Sequence, residues 1–550
     1  MNVLPGDHQH PTRLGRRAAL RLILSTAGIS VLAACTPAPG PSAPTPAPPT
    51  PVTGQSTPAA ATAGGQPTPA AAAKPKRGGT LRIGVAGDVA RLDGQLYSSI
   101  NTTWMSFDRL TAYDAQLKPQ PMLAESWELS TDAKRLKLNL RKGVQFHTGR
   151  EFTSEDVKFN VLWVRDPKVA AGALVQQSKW FTDVETPDKY TAILVSDQPR
   201  PAAFDFFEFF DIVDSATVQG PERDQKLVGT GPFVQTEWVQ GDHLTFQRFA
   251  NYWQPSLPYL DGVHVNILKN PQSLVAQLEA GALDIADMPS LIDFARLRTD
   301  TNYTALTVPS STNVFGSNVT RPPTDNKQVR QALNYAMDRK RMVEIAFRGQ
   351  GEPLTLPWQP TSLAYDASKQ NAYPYDLDKA RSLLSQAGAS NLELDITLNT
   401  ATAEWNEAAQ IYQSTLNTLG IKANIKQYDT AAYLDQINNH KYTGIYVGSI
   451  AYASVEPVTI IGNSRHLDPT GNSNTGYTSE QYLKLWSTAS TEPDAGKRKA
   501  IYAQINDLLI DESCVMPICS APARMLTSGG VHDIGLTQHG AFVYNSTWLA

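Results

Sequence analysis

Nine histidines, three cysteines and 52 acidic side chains are the groups that could do chemistry in this chain of 550 residues. Their spacing argues against most catalytic chemistry. No HExxH pair puts two imidazoles on one helix face for zinc, and no GxSxG elbow presents a serine nucleophile. His532 and His539 are seven apart in a glycine-containing stretch, not at the i, i+4 spacing of a helical metal pair. Gly229-Thr230-Gly231 is not followed by the GK[ST] of a phosphate cradle. Its glycines are read as supplying backbone conformations closed to other residues. Glu125 and Glu128 flank Trp127 and could form a carboxylate pair. They are read as a solvated edge and a cap. With 52 acids, chance pairs of the glycosidase type are expected, which leaves an exported hydrolase as an alternative. Cys514 and Cys519 lie in a strand-like stretch, where thiols five apart point to opposite faces roughly 16 Å from each other. A disulfide there needs a sharp bend, so two buried free thiols are expected. No metal site or cofactor follows.

Cys35 carries a different chemistry. The 13 uncharged residues from Leu22 to Ala34 are short of the roughly 20 that span a bilayer. Arg16, Arg17 and Arg21 precede them, and Ala33-Ala34 stands before Cys35. That is the layout of a secretory signal. Leu32-Ala33-Ala34-Cys35 resembles the bacterial lipobox, in which the cysteine is acylated. Gly15-Arg16-Arg17-Ala18-Ala19-Leu20-Arg21 resembles a twin-arginine signal without its usual Phe. Thr36 to Pro75 then holds 12 prolines, 11 alanines and one charge, Lys74. With few large apolar groups to bury, it is expected to be a disordered tether.

The elements that position everything else follow from about Lys76. Loss of residues 1–34 removes four Arg and one Asp, so the mature net charge moves from −4 to −7. No basic face suits nucleic acid. Some 475 residues exceed one core, so two or three domains are expected. Thr80–Val85 and Arg135–Leu140 alternate as half-buried strands. Thr153 and Asp156 have the spacing of a capping box. Val228–Phe233 enters a hairpin that turns at Gly241-Asp242. Val263, Val265 and Ile267 continue the sheet. Helices are read over 328–347, 376–387 and 404–419, the last two stopped by Gly388 and Gly420. Strands are read at 392–398 and 421–425. The fold class is α/β of mixed order.

Several stretches carry a resemblance. They are Leu123-Ala124-Glu125-Ser126-Trp127-Glu128, Leu138 to His147, and Phe152 to Val157. Gly229-Thr230-Gly231-Pro232-Phe233, Asn251-Tyr252-Trp253, Tyr259 to Val263, Val329 to Arg339, and Pro374-Tyr375-Asp376 follow. In this order they resemble the family 5 extracellular solute-binding proteins of ABC importers, which include dipeptide, oligopeptide and nickel binders. The likeness covers about residues 77–520. Trp127, Trp238 and Trp253 are read as core.

The resemblance implies a bilobed clamp of the type II periplasmic-binding-protein kind, with an extra subdomain inserted in the first lobe. The first lobe would comprise 77–118, the insert 119–225, then 226–312 and 521–550; the second lobe would be 313–520. Crossings would lie near Ser311–Phe315 and Ile518–Pro522. The implied role is capture of a small ligand, with peptides leading, and delivery to a permease and ATPase pair by a lipid-anchored monomer. Oligosaccharides or metal chelates are the alternative ligands, and a sensory lipoprotein is an alternative role. Peptide-binding members carry a Gly-Trp-x-x-Asp anchor; here Gly448 is followed by Ser449, Ile450 and, at the acid's place, Tyr452. Glu456 and Asp287 are the acids that could substitute, since a carboxylate would pair with a peptide's ammonium. The candidate cleft residues are thus Leu92, Asp93, Asp287, Met288, Ser449, Ile450, Tyr452 and Glu456.

Overall fold

The computed structural model describes residues 74–550, except 89–91, 93–102, 170–171, 219–225, 390, 452–455 and 538–539. Cys35, Asp93, Tyr452 and His539 therefore lie outside the described residues.

One ten-stranded sheet runs through the molecule. Its strands in chain order are β1 (Thr80–Val85), β2 (Phe233–Val239), β3 (His243–Arg248), β4 (Gly262–Ile267), β5 (Ile285–Asp287), β6 (Tyr303–Ser317), β7 (Glu393–Asn399), β8 (Lys422–Tyr428), β9 (Gly444–Ala451) and β10 (Val515–Ser528). Across the sheet they lie in the order β8-β7-β9-β6-β10-β5-β1-β4-β3-β2. The two long central strands pair antiparallel from Tyr303 opposite Ser528 to Gly316 opposite Val515. Their register slips between Pro309 and Ser311, where Pro309 faces Pro522. Neither proline has an N–H to give the ladder, so the ribbon is weakest there.

Alternation explains the strands on either side. Leu81 and Ile83 of β1 face a core with Phe233, Phe246, Val263 and Met525. A separate four-stranded antiparallel sheet, 124–129, 135–140, 191–195 and 183–188 in that order, forms the insert. There Leu136, Leu138 and Leu140 are buried under Phe146, Phe152, Phe206 and Phe207, while Arg135, Lys137 and Asn139 face outward. Phe315, Leu333, Ile396 and Tyr412 share one further core, and Trp358, Ile461 and Tyr502 share another. Among the described residues no helix is long and apolar enough to cross a membrane.

The recurrent motifs turn out to be internal fastenings. Thr230, Tyr252 and Trp253 all donate to the buried carboxylate of Asp108, at 3.0, 3.3 and 2.7 Å. Gly231 is required by a close approach and not by its own conformation. A Cβ there would stand 2.5 Å from the Ser106 carbonyl carbon, and its φ is not left-handed. The Asp156 carboxylate accepts from the Thr153 N–H at 3.0 Å and pairs with Arg150, which also holds Asp214. Arg339 donates to the carbonyls of Leu354, Pro517 and Tyr373.

Three sequence expectations are corrected. The helix read over 328–347 is two, Lys327–Tyr335 and Arg339–Ile345. Asp338 ends the first by capping the second, accepting from the Arg341 N–H at 3.0 Å. Ile345 consequently leaves the apolar stripe and is exposed. Glu125 and Glu128 both lie exposed on the strand 124–129, and Glu128 faces Lys137 at 3.7 Å instead of capping a helix. Trp127, Trp238 and Trp253 are half-buried at the margins of their cores, not inside them. The thiols of Cys514 and Cys519 are free and buried, and burial pushes both up to about 12.

Candidate functional site

β5 ends at Asp287, and the chain turns at Met288 with a left-handed φ of 48°. A non-glycine residue held there needs support. It comes from β10: the Met288 N–H donates to the Arg524 carbonyl at 3.0 Å, and the Arg524 N–H points back at the Met288 sulfur at 3.5 Å. The Arg524 Nε also donates to the Pro289 carbonyl at 2.7 Å. Arg524 is the one charged residue of β10, in a stretch otherwise apolar or hydroxylic.

Across from Arg524 stands helix Ala403–Thr418, whose first turn carries Glu404 and Trp405. Arg524 Nη2 lies 3.8 Å from Glu404 Oε1. Burial pulls the Arg524 pKa below its ordinary value, opposed by the charges of Glu404 and Asp287. Trp405 Nε1 donates to Asn313 Oδ1 at 3.1 Å, which fixes the indole over β6. Asn313 is opposite Ser449 of β9 in the sheet. Between these groups lies a groove of about 500 Å³, lined by Met288, Asn313, Glu404, Trp405, Ser449 and Arg524 among others. It sits where the long strands pair, with Met288 after β5 and the start of helix Ala403–Thr418 in its walls. An acid, a base, an indole and an amide around one cavity suit a zwitterionic polar ligand. Among the described residues no group of three or more His, Cys, Asp or Glu could hold a metal.

Of the residues expected in a cleft, Met288 and Ser449 line this groove, and Asp287 stands beside it within reach of the Arg524 charge. Three others do different work. Ile450 is fully buried in a second-lobe core, because alternation along β9 turns its side chain away from that of Ser449. Leu92 is buried in the first-lobe core. The Glu456 carboxylate is held by Arg498 at 3.0 Å and by the Tyr502 hydroxyl at 3.1 Å. Its backbone N–H donates to Asp205 of the insert at 3.1 Å, so Glu456 fastens the insert to the second lobe. Sequence reasoning missed Arg524, Glu404 and Trp405. A lone arginine in an uncharged strand was the available signal for the first.

Comparison with known proteins shows the family. The family described as bacterial extracellular solute-binding proteins, family 5 (middle), matches residues 118–472. Di/tripeptide-binding protein 1 of Pseudomonas aeruginosa is 28% identical over 470 residues, covering 79% of this chain and 87% of its own. Heme-binding protein A of Haemophilus influenzae is 29% identical over 433 residues, covering 72% and 78%. The crystal structure of the protein AppA from Clostridium difficile superposes with a TM-score of 0.78 at 23% identity, over 86% of this chain and all of that one. The family match spans well over half the sequence, and the chain belongs to the family 5 bacterial extracellular solute-binding proteins.

Proposed function

We propose that this solute-binding protein captures short peptides with free termini in the groove between its lobes. The observation that carries the reading is the Arg524–Glu404 pair, 3.8 Å apart across the groove. A carboxylate and a guanidinium held loosely opposite each other can exchange one another for the two ends of a peptide, by charge-assisted hydrogen bonds. Asp287, Met288, Ser449 and Trp405 would complete the contacts, with Tyr452 and Asp93 as further candidates from the sequence. The di/tripeptide-binding relative supports the same class.

The test is a thermal-shift and calorimetric screen of di- to pentapeptides, with free or blocked termini, against haem and nickel–histidine. A peptide at a hundred times its dissociation constant should stabilise the protein by about 2.7 kcal/mol. Acetylated and amidated versions should lose most of that. Equal binding of blocked peptides, or response to the non-peptide ligands alone, would refute the reading.

The role is that of the binding component of an ABC importer, and the permease and ATPase are its implied partners. The lobe limits given above, with 313–520 as the second lobe, belong to the same proposal; the two expected crossings pair with each other as Ser311 opposite Ala521 and Thr312 opposite Ser520. So does a removable export signal over 1–34 with acylation of Cys35, supported by the lipobox and twin-arginine spacing.

A further inference from the structure

A second groove, of about 810 Å³, opens between the insert and the second lobe. That size is within the ~300–1,000 Å³ of small-molecule sites. It shares no lining residue with the groove beside Arg524. Trp180 reaches it from the insert and Trp486 from helix Glu480–Thr491 of the second lobe. Trp180 packs against the cores of both bodies. Trp486 is fixed by its own N–H, which donates to the Val458 carbonyl at 2.8 Å. Gly462 permits this: a Cβ there would stand 3.0 Å from the indole.

The remaining walls are mostly neutral amides and hydroxyls, among them Gln198, Asn463, Asn472, Ser487 and Thr491. Each amide both donates and accepts. Of the charged groups, Asp468 is engaged by its own turn, since Oδ1 accepts from the Thr470 N–H and hydroxyl at 2.7 Å each. Arg200 lies 5.7 Å from the centre of the Trp180 ring, and its buried Nε has no partner among the described residues. Lys179 is exposed at the rim. Asp468 forms no ion pair with Lys179 or Arg200, so no preformed acid–base pair like Glu404–Arg524 spans this groove. Indoles offer flat apolar faces, and the amides and hydroxyls offer bonds to neutral oxygen. A ring with an apolar C–H face and a hydroxyl edge satisfies both.

We propose that this groove is a second binding site, which takes a neutral oligosaccharide between Trp180 and Trp486. The sugar there joins the insert to the second lobe and is independent of peptide capture beside Arg524. The test is calorimetric titration of the full chain with cellotetraose and xylotetraose, for wild type, Trp180→Ala and Ser487→Trp. Ser487 is exposed on its helix, so the added ring fills the groove without removing a core contact. This variant separates lost binding from lost folding. Wild type should bind at least one of the two sugars with a change in tryptophan fluorescence. Each variant should lose about tenfold or more in affinity, with its dipeptide thermal shift as in wild type. The proposal falls if wild type binds neither sugar, if both variants bind like wild type, or if a dipeptide displaces the sugar.

Discussion

Asp205 shows how one residue ties parts of this molecule together. It accepts from the Tyr113 hydroxyl at 2.9 Å and from the Glu456 N–H at 3.1 Å. Burial, with the nearby Glu456 charge, raises its pKa from 3.8 to about 7. The folded protein therefore holds this proton more tightly than the unfolded chain does. The contribution is fully present below pH about 4 and is lost as pH rises through about 7. His466, buried and held at about 4, acts in the opposite sense below pH 6.5 and is untouched by a change at 205. Melting temperatures from pH 5 to 8 should fall less steeply in Asp205→Asn than in wild type; an identical slope would assign the titration to other groups. Asn506 is a second such residue. Its Oδ1 accepts from the buried Trp358 indole at 2.7 Å, and its amide donates to the Ala364 carbonyl at 2.8 Å. Asn506→Leu leaves both unpaired and should cost roughly 2–6 kcal/mol by urea unfolding, at about 1–3 kcal/mol per orphaned group. Cys514 and Cys519, with thiols up near 12, should resist alkylation at pH 8 until the protein is unfolded; fast labelling of the native protein would contradict their burial.

At the scale of elements, caps and close approaches decide where segments begin and meet. Asp338 divides one amphipathic stretch into two helices, because its carboxylate satisfies the orphan N–H of the second. Asp338→Ala should cost about 1 kcal/mol and Asp338→Asn much less, measured by denaturant unfolding. Equal losses would mean that the cap is not what breaks the helix. Gly231 works by proximity. A methyl group at 2.5 Å from the Ser106 backbone displaces the segment whose neighbour Asp108 collects three hydrogen bonds. Gly231→Ala should therefore destabilise by roughly 1–3 kcal/mol, as overpacked cores do. The Met288 turn belongs to the same scale, since its left-handed backbone is held by Arg524 across the strand pair. Arg524→Met should weaken peptide binding more than it lowers the melting temperature; unchanged peptide affinity would remove Arg524 from the site.

At the scale of the whole molecule, one sheet with two long central strands runs from the core around Phe233 and Val263 to the core around Phe315 and Ile396. A ligand in the proposed groove beside that ribbon would touch both lobes, so binding and closure would share one free energy. Upstream, acylation of Cys35 belongs to the proposal above, and it would hold the clamp at a membrane. Cys35→Ser should move the protein from the membrane to the soluble fraction and abolish lipid labelling while leaving peptide affinity unchanged. Persistent membrane association of that variant would exclude acylation as the anchor.

Local rules carry well from sequence to structure here. Alternation located β1, β4 and the strand 135–140, and Gly388 and Gly420 mark helix ends with left-handed φ values of 63° and 78°. Motif order identified the family, and in this chain several of those motifs are fastenings, as Thr230, Tyr252 and Trp253 are around Asp108. What sequence could not decide is which side chains converge. Leu92 and Ile450 looked like cleft residues and are core; Glu456 looked free and is clamped by Arg498. Conversely, Glu404 and Arg524 stand 3.8 Å apart while separated by 120 positions in the chain. The physical reason is the range of the forces. Periodicity, capping and turn conformation act over a few residues and are written in consecutive letters. The partner of a charge or an indole is set by how distant strands register and how separate cores dock, and only the tertiary structure decides that.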